Sequence, residues 1–258
     1  MINCIIFSKN RAAQLHLLLQ SIEKYAPHLY SSITVIYQFT TDEHREAYGL
    51  VSRGLKKIMP NLELQVNFEQ DIKRHLSADC PLTTFLVDDD VFFRPVIISI
   101  EQIHDIIYHT SRVFSLRLGK QYKYLREFFL YGHYMTIPRN ENVKCAAYPL
   151  SLDGNIFDTK FISKLINQIS FTNPNKLESR LQKFTPKCSN IYSTPDQCLV
   201  GIPVNRVSNT SHCSYGERYG LHEDDICARF LRGEEFDINQ IDFSSVNDTH
   251  VELKLPMM

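Results

Sequence analysis

The sequence contains no tryptophan, only 9 glycines and 11 prolines in 258 residues, and no long apolar run. So little glycine and proline excludes collagen-like and low-complexity proteins, while 43% hydrophobic residues are enough for a globular core. The most apolar stretch, residues 128–137, is too short to cross a bilayer and contains His133. We therefore expect a folded protein without a transmembrane segment.

An excess of charge of either sign is also missing, since 28 Lys and Arg balance 29 Asp and Glu. That balance argues against a surface built to bind nucleic acid. The N-terminus has no basic segment before its apolar run and no small-residue cleavage site, which argues against a signal peptide. We expect a cytoplasmic location and leave peripheral membrane association open.

The seven cysteines include no Cys-x-x-Cys pair, so structural zinc and thioredoxin-type redox chemistry are poorly supported. We expect most of them to be buried free thiols in a reducing compartment.

Strand-like and helix-like segments alternate over the first 90 residues, with the first helix capped by Ser8 or Asn10. This order predicts an α/β fold with a Rossmann-like, mostly parallel central sheet flanked by helices. The predicted strands are 2–8, 33–39, 62–68 and 83–87, and the intervening helices follow Ser8 or Asn10 and span 43–58 and 70–76.

The second half is less regular, and no linker rich in Pro, Gly or Ser divides it from the first, so we predict a single domain. Its aromatic run, Phe128, Phe129, Tyr131 and Tyr134, is more typical of a core than of a sugar-binding platform. The predicted strands are 113–119, 128–137 and 145–150, the predicted helices are 99–110, 160–171, one beginning near Asn175 and 223–232, and the last 12 residues are expected to be extended.

Polar residues follow each predicted strand of the first half, at 8–11, 38–41, 69–74 and 88–90. Because the carboxyl ends of parallel strands meet at one edge of the sheet, we expect these segments to converge on a binding site.

Three adjacent carboxylates, Asp88, Asp89 and Asp90, directly follow the apolar fourth strand. Such a cluster repels itself and resists desolvation, and a divalent cation would remove that cost. Asp88 and Asp90 point to the same side of an extended chain, where they can hold Mg²⁺ or Mn²⁺ and leave room for phosphate oxygens. The alternative is a solvated acidic turn.

The segment FLVDDDVFF at 85–93 resembles the Asp-x-Asp motif of the GT-A nucleotide-sugar glycosyltransferases, and CIIFSKNRAAQLHLLLQSI at 4–22 resembles their opening strand and helix. His250, in VNDTHVEL, stands where many members place a late metal or phosphate ligand. The resemblance implies a GT-A type domain over 1–258, with a nucleotide-binding half at 1–95. Residues 96–258 would form the acceptor half and a C-terminal metal or phosphate segment.

By the same resemblance, Asp88, Asp90 and His250 would ligate Mn²⁺ or Mg²⁺. His250 can instead be an ordinary surface histidine, and Lys73 and Arg74 can simply lie on the solvent face of a helix. The residues that would line the nucleotide pocket are Phe7, Ser8, Lys9, Arg11, Gln38, Lys73, Arg74, Asp88 and Asp89.

The catalytic group is less clear from the sequence. Inverting members use an acidic base to deprotonate the acceptor hydroxyl, but Asn173 and Asn175 occupy the positions where the family usually has acids. Glu178, one helical turn on, and Asp153, in the turn SLDGNIF, are the candidates. A helix-start carboxylate and an ordinary Asp-Gly turn are the alternatives for these two.

The resemblance implies a metal-dependent glycosyltransferase that moves a sugar from a nucleoside diphosphate sugar to a saccharide, a lipid-linked saccharide or another hydroxyl acceptor. The second hypothesis is a sugar-phosphate nucleotidyltransferase, although the glycine-rich loop typical of those enzymes is missing after the first strand. The third is a nucleotide- or carbohydrate-binding module without turnover, which the asparagines at 173 and 175 suggest.

Overall fold

The computed structural model describes residues 1–76, 79–138, 148–188, 190–204 and 221–258. The strands are β1 (Ile2–Lys9), β2 (Ser32–Gln38), β3 (Asn61–Leu64), β4 (Leu82–Val87), β5 (Asp90–Phe92), β6 (Val113–Ser115), β7 (Phe129–Tyr131), β8 (Tyr134–Ile137), β9 (Asn155–Asp158), β10 (Ile191–Ser193) and β11 (Leu199–Gly201). The helices are α1 (Ala12–Tyr25), α2 (Asp42–Tyr48), α3 (Phe68–His75), α4 (Ile100–Ile106), α5 (Thr159–Ile166), α6 (Pro174–Leu181) and α7 (Glu223–Leu231). A π-helical turn at Ile107–Ser111 follows α4, and a 3-10 helix at Gln182–Lys187 follows α6.

Nine strands form one sheet in the order β3-β2-β1-β4-β9-β6-β10-β8-β7. The first four are parallel, as the alternation of strands and helices predicts. Successive residues of β1 lie in different cores, with Ile6 in one hydrophobic cluster and Ile5 in the other. Both faces of this half are therefore covered, which confirms the predicted α/β class.

Strand β9 lies antiparallel between β4 and β6 and joins the two halves of the sheet. The turn before it is fixed by Gly154, whose N–H donates to the Phe85 carbonyl at 2.8 Å and whose carbonyl accepts from Leu116 N–H at 3.0 Å. Gly154 has a φ of 76°, and a Cβ there would stand 2.1 Å from Cδ2 of Leu199. Only glycine fits this position, and it holds Asp153 at the carboxyl end of β4.

A second, two-stranded sheet pairs β5 with β11 in antiparallel register. The C-terminal segment adds to it, because Gly201 forms a parallel bridge with His250. The Ile202 N–H also donates to the carbonyl of Asp89 at 2.7 Å. The aspartate triplet is thus held beside β11 and His250, although both lie more than a hundred residues further along the chain.

The predicted element bounds hold best in the parallel half. The predicted helix 43–58 is wrong in length, because α2 ends at Tyr48 and turns follow. The third strand ends early because the Asn67 side chain caps α3 by accepting from Gln70 N–H. The predicted caps of α1 are also wrong: Arg11 is the N-cap, since Ser8 and Asn10 bind other partners.

In the second half, the strand predicted at 113–119 ends at Ser115. The run 128–137 forms two short strands, of which the second contributes Met135 and Ile137 to a core and the first does not. Phe129, Leu130 and Tyr131 are exposed because β7 is the edge strand of the sheet. Residues 145–147 of the predicted strand 145–150 lie outside the described residues, and 148–150 form a turn. Among the described residues, every helix is too short or too polar to cross a bilayer.

Candidate active site

Three of the four predicted polar strand ends meet at one edge of the sheet. The Asn10 side chain donates to Thr40 at 2.8 Å and accepts from the Thr40 N–H at 3.0 Å, which joins the ends of β1 and β2. The Lys9 N–H donates to the Asp88 carboxylate at 3.1 Å, which joins β1 to the end of β4. The fourth segment, 69–74, lies on α3, where Lys73 pairs with Glu69 and Arg74 pairs with Glu63 instead of reaching this cluster.

At this edge of the sheet, Arg11 is the cation that contacts the aspartate triplet. Its guanidinium lies 3.0 Å from Asp88 and 3.2 Å from Asp89. Burial raises the pKa of Asp88 to about 6, against the opposing charge of Arg11. Arg11 thus neutralises part of the negative charge of the triplet, for which the sequence predicts a metal ion. It also places a cation at the carboxyl ends of β1 and β4.

Asp90 has a different environment from its two neighbours. It is completely buried, and its Oδ2 accepts from the Val87 N–H at 3.0 Å. Burial and the charge of Asp153 raise its pKa well above the ordinary value, although Arg117 acts in the opposite direction. Asp90 therefore links the triplet electrostatically to a second group of charged residues.

That second group lines a pocket of about 340 Å³ beside the triplet. Its ionisable members include Arg117, Asp153, Glu178 and His250, which come from segments that follow β6, precede β9, form α6 and lie near the C-terminus. The pocket thus brings together the two predicted catalytic carboxylates and one predicted metal ligand.

Arg117 and Asp153 form a buried ion pair on the floor of the pocket. The same Arg117 nitrogen lies 3.1 Å from the backbone carbonyl of Asp153 and 3.3 Å from the Ser151 hydroxyl. Burial acts against ionisation of Asp153, but the charge of Arg117 and its hydrogen bond outweigh it and hold the pKa of this carboxyl below its ordinary value. Asp153 is therefore a fixed carboxylate.

Glu178 enters the pocket from α6, whose N-terminus is capped by the Asn173 side chain. Its Oε1 accepts from the Ser151 hydroxyl at 2.8 Å and from the Leu152 N–H at 3.0 Å. Burial and the nearby charge of Asp153 raise the pKa of Glu178 to about 7. Two carboxyls in one pocket, one held ionised and one with a pKa near neutral pH, are an arrangement suited to general acid–base chemistry.

His250 borders the same pocket, with its Nε2 3.6 Å from Oδ2 of Asp153. Burial and the charge of Arg117 lower the pKa of the imidazole, which favours the neutral ring. The ring packs over Gly201, where a side chain would collide with it. A neutral imidazole beside carboxylates is able to bind a metal ion or accept a hydrogen bond.

The donor chemistry of Asp88, Asp90 and His250 fits a divalent cation, because carboxylate oxygen and neutral imidazole both suit Mn²⁺. Oδ1 of Asp90 is also enclosed without a hydrogen-bond partner among the described residues. However, no three His, Cys, Asp or Glu side chains in the described ranges lie close enough together to hold a metal ion. The donors therefore fit in kind, whereas their spacing does not gather them around one point.

The other residues predicted to line the nucleotide pocket differ in their exposure and in their partners. Phe7 is buried and stacks on Phe85, with ring centroids 5.8 Å apart, so it supports the sheet from beneath. The hydroxyl of Ser8 is hydrogen-bonded to Tyr48 at 2.6 Å. Lys9 is exposed, and Gln38 is its partner on β2.

Lys73 and Arg74 lie on α3 and are paired with acids there or on β3. The Lys73 ammonium is 2.6 Å from Glu69, and the Arg74 guanidinium is 2.5 Å from Glu63. The structure thus does not bring these two cations to the triplet.

Arg117 is a charged residue of the candidate site that the sequence analysis missed. It stands in VFSLRLG, where a lone cation interrupts an apolar segment. A charged side chain flanked by buried Leu116 and Leu118 is rarely buried unless it is paired, and this pattern is the signal that points to Arg117.

Neither a protein-family model nor a curated protein matches the chain significantly. Among solved structures, it is similar to residues 1–349 of TarS from S. aureus in complex with UDP, with a TM-score of 0.50 and 17% identity. That match covers 77% of this chain and 59% of the TarS chain. The full TarS structure is covered to only 36%. The chain therefore spans well under two thirds of TarS.

Further similar structures are the WbbM bifunctional glycosyltransferase, with a TM-score of 0.42 and 11% identity over 73% of this chain and 37% of that one, and a nucleotidyl transferase from Methanothermobacter thermautotroptrophicus, with a TM-score of 0.42 and 11% identity over 76% of this chain and 88% of that one. At such identities the likeness to TarS concerns the fold, and it agrees with the GT-A type of fold that the sequence motifs indicate.

Proposed function

We propose that this protein is a nucleotide-sugar glycosyltransferase, which transfers a sugar from a nucleoside diphosphate sugar to a hydroxyl of a saccharide acceptor. The observation that carries the proposal is the pocket in which Asp153 and Glu178 lie next to the aspartate triplet at the carboxyl ends of β1 and β4. The GT-A type of fold and the UDP in the TarS structure support a nucleoside diphosphate as the leaving group.

On the donor side, Arg11 is the residue whose charge suits the diphosphate. It is held against Asp88 and Asp89 and is therefore fixed in place before the donor arrives. Donor oxygens would meet an oriented guanidinium, which binds phosphate through paired N–H groups. The backbone N–H of Lys9 keeps Asp88 in position beneath it.

On the acceptor side, Glu178 is the proposed general base. Its pKa of about 7 lets it take the proton of an acceptor hydroxyl at neutral pH, as that oxygen attacks the anomeric carbon of the donor sugar. Asp153 stays ionised against Arg117, and its negative charge raises the proton affinity of Glu178. The bond from the anomeric carbon to the diphosphate breaks as the new glycosidic bond forms.

Metal dependence is a further part of the proposal: Asp88, Asp90 and His250 would hold Mn²⁺ or Mg²⁺ once they move closer together than they are in this structure. When bound, the ion would neutralise the diphosphate as it leaves. The enclosed, unpartnered Oδ1 of Asp90 supports this assignment.

The first experiment measures release of nucleoside diphosphate from a panel of uridine and guanosine diphosphate sugars, with and without saccharide acceptors. Glu178→Gln should reduce transfer by roughly 100-fold or more, because a general base contributes about that much. Glu178→Asp should retain part of the activity above pH 7. Glu101→Gln, at an exposed site on α4, is the matched control. Full activity of Glu178→Gln would contradict the assignment of the base.

The second experiment tests the metal. Wild-type protein should gain thermal stability and activity with Mn²⁺ and lose both in EDTA, whereas Asp90→Asn should show neither response. If the wild type is equally active in EDTA, the metal part of the proposal is wrong and the transferase part stands. Release of pyrophosphate from a nucleoside triphosphate and a sugar phosphate would favour a nucleotidyltransferase instead.

A further inference from the structure

A second cleft of about 540 Å³ lies at the far edge of the sheet. Strand β10 separates it from the candidate active site, because Ile191 lines the first pocket and its neighbour Tyr192 lines this cleft. Successive residues of a strand point to opposite faces. The two cavities are therefore on opposite faces of the sheet, and no residue proposed for catalysis lines the second one.

The floor of the cleft is a row of three tyrosines on adjacent strands. Tyr131 of β7 and Tyr134 of β8 are register partners whose rings stack with centroids 5.4 Å apart and planes inclined by 19°. Tyr134 and Tyr192 of β10 follow at 5.9 Å. Tyr131 is 53% exposed, so the row is accessible from solvent at this end, whereas Tyr134 and Tyr192 are partly buried.

The opposite wall of the cleft is polar. Gln102 and Asp105 of α4 and His109 of the following π-helical turn line it. The Gln102 Oε1 accepts from the Ser99 N–H in a helix cap, which orients the amide. The Asp105 side chain is 75% exposed. The wall thus offers an amide, a carboxylate and an imidazole across from the tyrosine rings.

We infer that this cleft binds a saccharide chain. The C–H groups on the face of a pyranose ring carry partial positive charge and pack on the negative face of an aromatic ring, while its hydroxyls require both donors and acceptors. The outer face of the half-exposed Tyr131, at the end of the stacked row, meets the first requirement, and the amide, carboxylate and imidazole groups opposite meet the second. The volume is within the range of small-ligand sites, about 300–1,000 Å³. The carboxylate of Asp105 favours a neutral saccharide over an acidic one.

A protein partner fits the cleft less well. A chain that pairs with the edge strand β7 would add along its outer backbone, and it would not need the polar wall across the cleft. The ligand class follows from the cleft alone and does not rest on the proposed transferase activity. If that activity is present, the cleft would hold a distant part of an extended acceptor or product.

The test uses the whole protein without nucleotide, with maltohexaose, cellohexaose and chitohexaose as probes in saturation-transfer difference NMR and titration. At least one probe should bind, and Tyr131→Ala should weaken it about five- to tenfold. Asp105→Ala, from the opposite wall, should also weaken binding. Met59→Ala, at an exposed apolar side chain that does not line the cleft, should leave the affinity within about twofold of wild type.

The proposal is overturned if none of the three probes binds, or if Tyr131→Ala and Asp105→Ala leave binding unchanged. It is also overturned if light scattering shows that Tyr131→Ala dissociates an oligomer, since the face is then an interface between copies of this chain. Binding is measured without a donor, so a failed transferase assay does not affect the saccharide-binding proposal. A failed binding assay likewise does not affect the transferase proposal.

Discussion

Gly201 and His250 lie directly against one another, and a Cβ at position 201 would stand 2.5 Å from Cδ2 of the imidazole. The contact is fixed by the backbone: the Gly201 N–H donates to Thr249 at 2.9 Å, and the Val251 N–H donates to Gly201 at 3.0 Å. The absence of a side chain at 201 is therefore what lets the C-terminal segment carry His250 to Asp153.

Gly201→Ala should move the imidazole out of its present place while leaving most of the fold intact. We expect a changed His250 NMR signal and a loss of transfer activity of about tenfold or more, since small misplacements in a site are costly. The control is a double-mutant cycle with His250→Ala. In that background the alanine at 201 meets no ring and should have little further effect. Equal effects in both backgrounds would contradict the steric explanation.

Arg117→Met should destabilise the protein by roughly 3–5 kcal/mol, because it leaves the buried carboxylate of Asp153 without its partner. Urea denaturation measures this change. Adding Asp153→Asn should recover part of the loss, since the uncompensated charge is then removed. Arg117→Lys should destabilise the protein less than Arg117→Met, because it keeps the positive charge although it loses the planar guanidinium. A double variant as unstable as the sum of its parts would show that the pair does not act as a unit.

Glu178 predicts a specific dependence of stability on pH. The folded protein keeps a proton on this carboxyl up to about pH 7, whereas the unfolded chain releases it near the ordinary value of 4.5. Between these values the folded state binds more protons, so this group makes the free energy of unfolding fall as pH rises. Glu178→Gln removes that contribution. The melting temperature of the variant relative to wild type should rise by a few degrees from pH 4.5 to pH 7.5. A constant difference across that range would contradict the raised pKa.

Asn173 provides a test of why an amide stands at the start of α6. Its side chain accepts from the Lys176 N–H at 2.9 Å, as an N-cap does. Asn173→Ala should cost about 1 kcal/mol in thermal or urea unfolding, whereas Asn173→Asp should cost little because it keeps the accepting oxygen. Both variants retain Glu178. If Asn173→Asp raised transfer strongly, the base would belong at position 173 instead.

The sequence predicts the parallel half of the fold well, because strands and helices alternate there along the chain and each follows directly from a local pattern. Strand β1 differs from the predicted 2–8 by one residue, and β4 from 83–87 by one residue. Convergence of the polar strand ends follows from parallel topology alone, and the contact of Arg11 with Asp88 agrees with it.

The candidate pocket is harder to predict because its parts depend on long-range pairing. Nothing local tells that β9 is inserted antiparallel between β4 and β6, and this insertion is what brings Asp153 to Asp90 and Arg117. The aromatic run at 128–131 has the composition of a core strand. It is exposed only because it is last in the sheet, which is a property of the whole topology.

The backbone of Gly154 is hydrogen-bonded to Phe85 on one side and to Leu116 on the other. The pocket floor beside it is consequently part of the sheet and not an independent loop. The amide proton of Gly154 should therefore exchange with deuterium only when the sheet itself opens. A ligand that enters the pocket thus meets a floor that is already formed and as rigid as the folded core.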